Sequence, residues 1–338
     1  MSTLRWGILA TGMITHLFTQ DAVRAGLHVT SVGSRSRASA EAFAAEFSIP
    51  HAHGSYAELV ASDDVDIVYI GTPHPMHYAN AVLALEHGKH VLVEKPLTLN
   101  AAEAAALRDL ARSQGLLLME AMWTRYLPHM ERIRHLLHAG GIGEVRALMA
   151  DHTQSISTDP SHRLNALELG GGSLLDLGIY PISLAWDLLG QPTAVTASAR
   201  LSETGADAEV ATIMTHASGA LSTSLSTSRS AGPNQAHILG TAGRIEVDSI
   251  WYNATSFTHY DAAGEVVERY RSSVPGRGMQ YQALAAERFI TEGSLDSDLL
   301  PLDESVAIMG TLDEVRRQIG VVYPGEGEGA DVRTAGSV

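Results

Sequence analysis

The sequence predicts an α/β fold: a doubly wound parallel sheet joined to an α+β domain with an open, mostly antiparallel sheet. Three observations lead there. Over the first third of the chain, strand-length apolar runs alternate with helical patterns, as parallel strands covered on both faces require. Residues 120–127 then cross from the last of these runs into sequence of a different character. From about residue 194 the apolar period becomes two, and short runs follow one another across turn signals with no helix between them. The first region is therefore a Rossmann-type domain over 1–121, the second an α+β domain over 122–323, and the Gly/Glu-rich stretch 324–338 a disordered tail.

In the first region, 4–10, 27–33, 66–71, 90–93 and 116–119 read as buried strands, and 13–24, 38–47, 76–87 and 101–113 as helices. The last helix is the best bounded, with Asn100 at its N-cap, Glu103 three residues on and Gly115 past its end.

The turn after the first strand, Ala10-Thr11-Gly12-Met13-Ile14, is where a dinucleotide fingerprint G-x-G-x-x-G/A would lie. Its three key positions hold Ala10, Gly12 and Thr15, so only the middle glycine is kept. That glycine lets the backbone approach a pyrophosphate, and the helix behind it favours an anion. After the second strand comes Ser34-Arg35-Ser36-Arg37, with no acid between Val29 and Ala40 to accept from a ribose hydroxyl. A guanidinium fork suits a 2′-phosphate, so NADP is expected over NAD, with Ser34, Arg35 and Arg37 at that end and Arg35 the main contact.

The third and fourth strands lead into Thr72-Pro73-His74-Pro75-Met76-His77 and Glu94-Lys95-Pro96. Both loops fall at the C-terminal edge of the sheet, where ligands of such folds bind. Thr72, Pro73, His74, His77, Glu94 and Lys95 are thus cofactor-site candidates, with His77 also facing substrate. The His74/His77 pair has no further ligands at supporting spacing, so no metal is expected.

In the second region, 128–138, 182–189, 279–292 and 304–319 read as helices. Strands are expected at 144–152, 194–200, 209–216, 219–227, 235–239, 243–247, 256–260 and 265–270. Glu120, Trp123 and Arg125 lie in the crossover, at the kind of domain junction where small-molecule clefts form. Trp123 is either core or a pocket wall. Gly170–Gly172 precede a segment in which Asp176 and Tyr180 share a face if it is helical, with Pro181 expected to kink it. Tyr180 is a buried structural phenol or a functional one.

These features together resemble the Gfo/Idh/MocA oxidoreductase family: the Gly-poor first turn, Thr72-Pro73 with His77, Glu94-Lys95-Pro96, and Gly170-Gly171-Gly172 with Asp176. The likeness spans about 4–323. Residues 119–125 (MEAMWTR) and 175–180 (LDLGIY) are closer still to its dimeric dihydrodiol and NADP-dependent D-xylose dehydrogenases. The resemblance implies Lys95 and Tyr180 as catalytic pair, with Asp176, Trp123, Arg125 and His77 at the substrate. It implies hydride transfer between NADP and a hydroxyl carbon of a sugar, polyol or dihydrodiol. Rival readings are an inositol or other sugar dehydrogenase, an NAD-assisted glycoside hydrolase and a redox-sensing NADP-binding protein.

The net charge of −15 argues against nucleic acid or an anionic membrane as partner. No apolar run is long enough to span a bilayer, and residues 1–10 read as a strand and not as a signal peptide. The absence of cysteine fits the cytoplasm and excludes thiolate chemistry. The open face of the second sheet is expected to form a homodimer or larger homo-oligomer.

Overall fold

The structure, a computed structural model, describes residues 4–326. It divides into two compact units. The first holds the chain through Trp123 and again Gly276–Met309, and the second holds Thr124–Pro275 and the chain from Gly310.

The first unit begins with β1 (Arg5–Leu9), α1 (Met13–Arg24), β2 (His28–Gly33), α2 (Arg37–Phe47), β3 (His51–His53), α3 (Tyr56–Val60) and β4 (Ile67–Ile70). It continues through α4 (His77–Glu86), β5 (His90–Glu94), α5 (Ala101–Gln114) and β6 (Leu118–Ala121). All pairings are parallel, in the order β3-β2-β1-β4-β5-β6. The order reverses between β1 and β4, and a crevice opens at such a switch point. Helix α5 is bounded as its sequence predicts: the Asn100 side chain accepts from the Glu103 amide at 2.9 Å and Gly115 closes it with φ +64°. Strand β3 and helix α3 are too short to show a period, and the sequence did not reveal them.

In the second unit, α6 (Pro128–His138) precedes β7 (Val145–Thr153), and α7 (Ile179–Leu189) precedes a run of strands. These are β8 (Pro192–Leu201), β9 (Asp207–His216), β10 (Leu221–Thr227), β11 (Ala236–Gly240), β12 (Gly243–Val247), β13 (Phe257–Asp261) and β14 (Val266–Tyr270). With β7 they form one sheet in the order β14-β13-β12-β11-β7-β10-β9-β8, antiparallel except for the β7–β10 pair. The mostly antiparallel character follows from hairpin connections; β7 lies centrally because a helical segment follows it and returns the chain to the sheet.

Helices α8 (Gln280–Glu292) and α9 (Leu302–Ile319) complete the chain. The return to the first unit at Gly276 has no sequence signal; a buried side chain from another helix meets the chain there. Asp21 in α1 accepts hydrogen bonds from the amides of Arg277, Gly278 and Met279 at 3.0–3.1 Å, capping α8 from another helix. Of the stretch 324–338 expected as a tail, residues 324–326 are described, with Glu326 paired with Arg316 at 2.6 Å; the rest of it and residues 1–3 lie outside the described residues.

Candidate active site

The first strand-to-helix turn in the first unit departs from the glycine fingerprint in two places, each with a visible compensation. Ala10 takes φ +87°, a left-handed conformation that costs a non-glycine residue on the order of 1 kcal/mol. Its amide donates to the Gly33 carbonyl at 2.9 Å, which fixes the turn against the end of β2. Thr15 stands where a small residue normally lets the helix approach the sheet, and the missing space is found on the other side. A Cβ on Gly71, just past β4, would run into the Thr15 methyl group. The third glycine has moved from helix to strand end.

Gly12 caps α1 without a side-chain hydrogen bond, and a Cβ there would meet nothing within 4 Å. Met13 beside it is 74% exposed. Open space over a helix N-terminus, bordered by Ala10, Thr11 and Ile14, fits a dinucleotide pyrophosphate. After β2, Ser34 is buried and Arg35 is exposed. Arg37 is directed elsewhere: it opens α2 and pairs with Glu58 at 2.9 Å and the Ala52 carbonyl at 3.3 Å. The two expected phosphate ligands thus differ, Arg37 already serving to hold the loop before α3.

The loops after β4 and β5 are tied together by His77. Its ring is fully buried, with Nδ1 2.7 Å from the Pro96 carbonyl and Nε2 2.9 Å from the Thr72 carbonyl. Burial outweighs these two acceptors and lowers its pKa to about 4, with the Lys95 ammonium acting in the same direction. The neutral ring has one proton, so it donates to one of these two carbonyls. His77, expected at the substrate, is fully buried here, with both ring nitrogens facing backbone carbonyls. Asn80 donates to the Thr72 hydroxyl at 3.2 Å, and His74 packs edge-on against His77.

Lys95 projects from this pinned frame. Before it, the Glu94 carboxylate accepts from the Tyr69 phenol at 2.5 Å, and Phe18 stacks on Tyr69 with ring centroids 3.7 Å apart. After it, the Glu120 carboxylate accepts from the Leu97 amide at 3.0 Å. The Lys95-Pro96 peptide is cis, and Lys95 itself is half-buried. The lysine thus lies on backbone fixed from both sides at the C-terminal edge of the sheet. Trp123, in the same unit, is buried with the Arg277 guanidinium 5.6 Å from its ring centroid.

In the second unit, residues Leu174–Gly178 form a π-helical turn that runs into α7. Pro181 is the third residue of α7 and follows this wide turn directly, so the irregularity expected at the proline lies in the π-helical turn that precedes it. Tyr180 is 7% exposed and meets two rings, His152 with centroids 5.0 Å apart and Tyr252 at 5.4 Å, which stack on each other at 3.7 Å. Asp176, one turn earlier, is paired with Arg163 at 3.0 Å. Arg125, expected at the substrate, is 3% exposed and ties itself to α7, donating to the Ser183 hydroxyl at 3.0 Å and the Ser183 carbonyl at 2.9 Å.

Sequence reasoning missed Arg163, His152, Tyr252 and Tyr69. His152 ends an expected strand and could have been noticed there. Arg163 lies in an aperiodic loop stapled by Asn165, which binds the carbonyls of Ser157 and Asp159 at 2.9 and 2.7 Å, and no local pattern marks it.

Comparison with known proteins covers both units. The pattern of the GFO/IDH/MocA oxidoreductase family, NAD-binding Rossmann fold, matches residues 4–122, and that of the GFO/IDH/MocA C-terminal domain matches 130–246. Trans-1,2-dihydrobenzene-1,2-diol dehydrogenase of Mus musculus is 36% identical over 333 residues, covering 95% of this chain and 98% of that protein. The human protein of the same name is 35% identical over 336 residues, with the same coverage. KijD10, a 3-ketoreductase from Actinomadura kijaniata solved with NADP and TDP-benzene, superposes with a TM-score of 0.82 at 26% identity, covering 94% of this chain and 98% of that one. An aldose-aldose oxidoreductase from Caulobacter crescentus, 24% identical, shares the fold with a TM-score of 0.84 over 93% of this chain and 97% of its own.

Proposed function

We propose the reaction from one premise: the chain belongs to the GFO/IDH/MocA oxidoreductase family and is an NAD(P)-dependent oxidoreductase. Its substrate is a secondary alcohol of a vicinal diol, in a dihydrodiol, sugar or polyol, and its preferred cofactor is NADP. The observation that carries this reading is the frame around Lys95: one half-buried ammonium held on fixed backbone at the edge that also carries the Gly12 turn.

A bound NADP would supply the hydride acceptor. The rest falls to the chain. Tyr180 takes the hydroxyl proton through its phenol oxygen, and Lys95 stabilises the phenolate, which an unassisted tyrosine with pKa about 10 does not supply at neutral pH. Asp176 orients the neighbouring hydroxyl. Its charge would oppose a phenolate one turn away, and the pairing with Arg163 offsets that opposition. His152 and Tyr252 hold the phenol ring from two sides. NADP preference rests on Arg35 and Ser34 after β2, and on the absence of an acid between Val29 and Ala40.

The partner is a second copy of the chain. Its support is an apolar area on one face of the second sheet, where Leu221 and Leu225 of β10, Ile213 of β9 and Met149 of β7 are exposed, and Thr223 pairs with both Met149 and Ile213. Among the described residues no helix is long and apolar enough to cross a membrane, and the cysteine-free sequence suits the cytoplasm.

The test is NADP and NAD reduction measured across dihydrodiols, aldoses and inositols. Reduction of NADP by a vicinal diol supports the reading, and reduction of neither cofactor by any of them overturns it.

A further inference from the structure

Asp207 opens β9 and is 1% exposed, yet it takes no part in the reaction proposed above. Its Oδ2 accepts from the Leu174 amide at 2.6 Å and from the Ser173 hydroxyl at 3.1 Å. Its Oδ1 has no hydrogen-bond partner among the described residues. That oxygen lies against Gly172, whose φ of +137° only glycine adopts readily, and a Cβ there would overlap the carboxylate. The carboxylate therefore occupies the place of a side chain that the loop lacks.

A buried carboxylate with one oxygen unanswered is a costly feature, and natural cores keep few of them. Burial pushes the Asp207 pKa up to about 6, against the hydrogen bonds it accepts, that from the Leu174 amide first. Its location gives it a consequence. The Leu174 amide belongs to the first turn of the continuous segment that carries Asp176 and then Tyr180, and an anion at a helix N-terminus is favourable. Tyr323 is the titratable group that faces it from outside this segment. The Tyr323 phenol donates to the Gly171 carbonyl at 3.0 Å, is held protonated by burial, and has Arg316 and Glu326 beyond it. The Asp176–Arg163 pair is the nearest charge along the segment itself.

We propose that Asp207 is a positioning residue for Asp176 and Tyr180: its carboxylate, through Ser173 and Leu174, sets the first turn of the segment that bears both. The inference rests on the reading of Tyr180 given above, but its test does not depend on turnover. Ionised Asp207 holds the turn in its working position, and protonation loosens the Leu174 hydrogen bond and moves the phenol.

The experiment places 3-fluorotyrosine at position 180 of the full chain and follows its ¹⁹F shift from pH 5 to pH 7.5. The unsubstituted chain should show a step with midpoint near 6, well below ionisation of the phenol itself, and Asp207→Asn should show none. In Asp207→Asn, kcat should fall roughly tenfold at pH 7.5 and lose its acid limb, while NADPH binding measured by fluorescence is unchanged. If Asp207→Asn fails to fold, Ser173→Ala serves instead, and losing one donor to the carboxylate should move the midpoint upward. No step in the parent chain, a step that survives in Asp207→Asn, or an unmoved midpoint in Ser173→Ala overturns the proposal. A lower Tm with kcat and ¹⁹F profile unchanged also overturns it, by leaving only a structural role. Full turnover in Tyr180→Phe would overturn the dehydrogenase chemistry while leaving this positioning result standing.

Discussion

The His77 ring bridges two loops end to end, with Nδ1 2.7 Å from the carbonyl oxygen of Pro96 and Nε2 2.9 Å from that of Thr72. A neutral imidazole in this place means that folding is opposed by protonation. The folded-state pKa of about 4 lies below the ordinary 6.5, so the contribution is present above pH 6.5 and is lost as pH falls towards 4. Its full size is on the order of 3 kcal/mol. Urea unfolding at pH 7 and pH 4.5 should show a smaller pH dependence in His77→Gln than in the parent chain. His129, also buried and lowered to about 4, contributes in the same direction and remains in the variant.

Thr15 and Gly71 fill one space between them. Gly71→Ala should destabilise the chain by about 1–3 kcal/mol through overpacking. Thr15→Ser removes the methyl group that a Cβ would meet while keeping the hydroxyl that donates to Gly12 at 2.7 Å. The double variant should recover much of the loss, a coupling that a double-mutant cycle reads directly. Additive losses would show that the two do not compete for space.

Arg35 and Arg37 should separate in cofactor kinetics. Arg35→Ala should raise the KM for NADP by about tenfold or more and leave that for NAD nearly unchanged, as loss of charge-assisted hydrogen bonds to a 2′-phosphate requires. Arg37→Ala should change the preference much less, since its guanidinium is engaged by Glu58. Equal effects on both cofactors from Arg35→Ala would remove the phosphate assignment.

Most of the first unit was legible because its strands and helices are long enough to show a period and α5 carries both of its caps in local sequence. The second sheet was legible from alternation alone. What escaped has a common cause: it depends on groups distant in the chain. Asp21 holding 277–279, Arg163 reaching Asp176, and Tyr252 beside Tyr180 leave no mark within any short window. Lys95 and Tyr180 are expected at the site because glycine, proline and chain position frame them, and their pairing remains a proposal. For His77 and Arg125 the sequence gives residue type but not direction, and the partners seen in the structure are backbone carbonyls for the one and Ser183 for the other.

The exposed face of the second sheet can be tested without a substrate. Leu225→Lys places a charge on β10 in the apolar area formed with Ile213 and Leu221. Light scattering coupled to size exclusion should show the parent as a dimer or larger and the variant shifted towards monomer. An oligomer indifferent to lysine at this position would place the interface elsewhere.

The most direct measurement of the central claim is single-turnover NADP reduction by Lys95→Met and Tyr180→Phe, with NADPH affinity determined separately by fluorescence. Each variant should bind NADPH as the parent does and lose roughly 10²–10⁴-fold in the chemical step, the range that positioned proton transfer contributes. Reduction at the parent rate in either variant, with binding intact, would contradict the account.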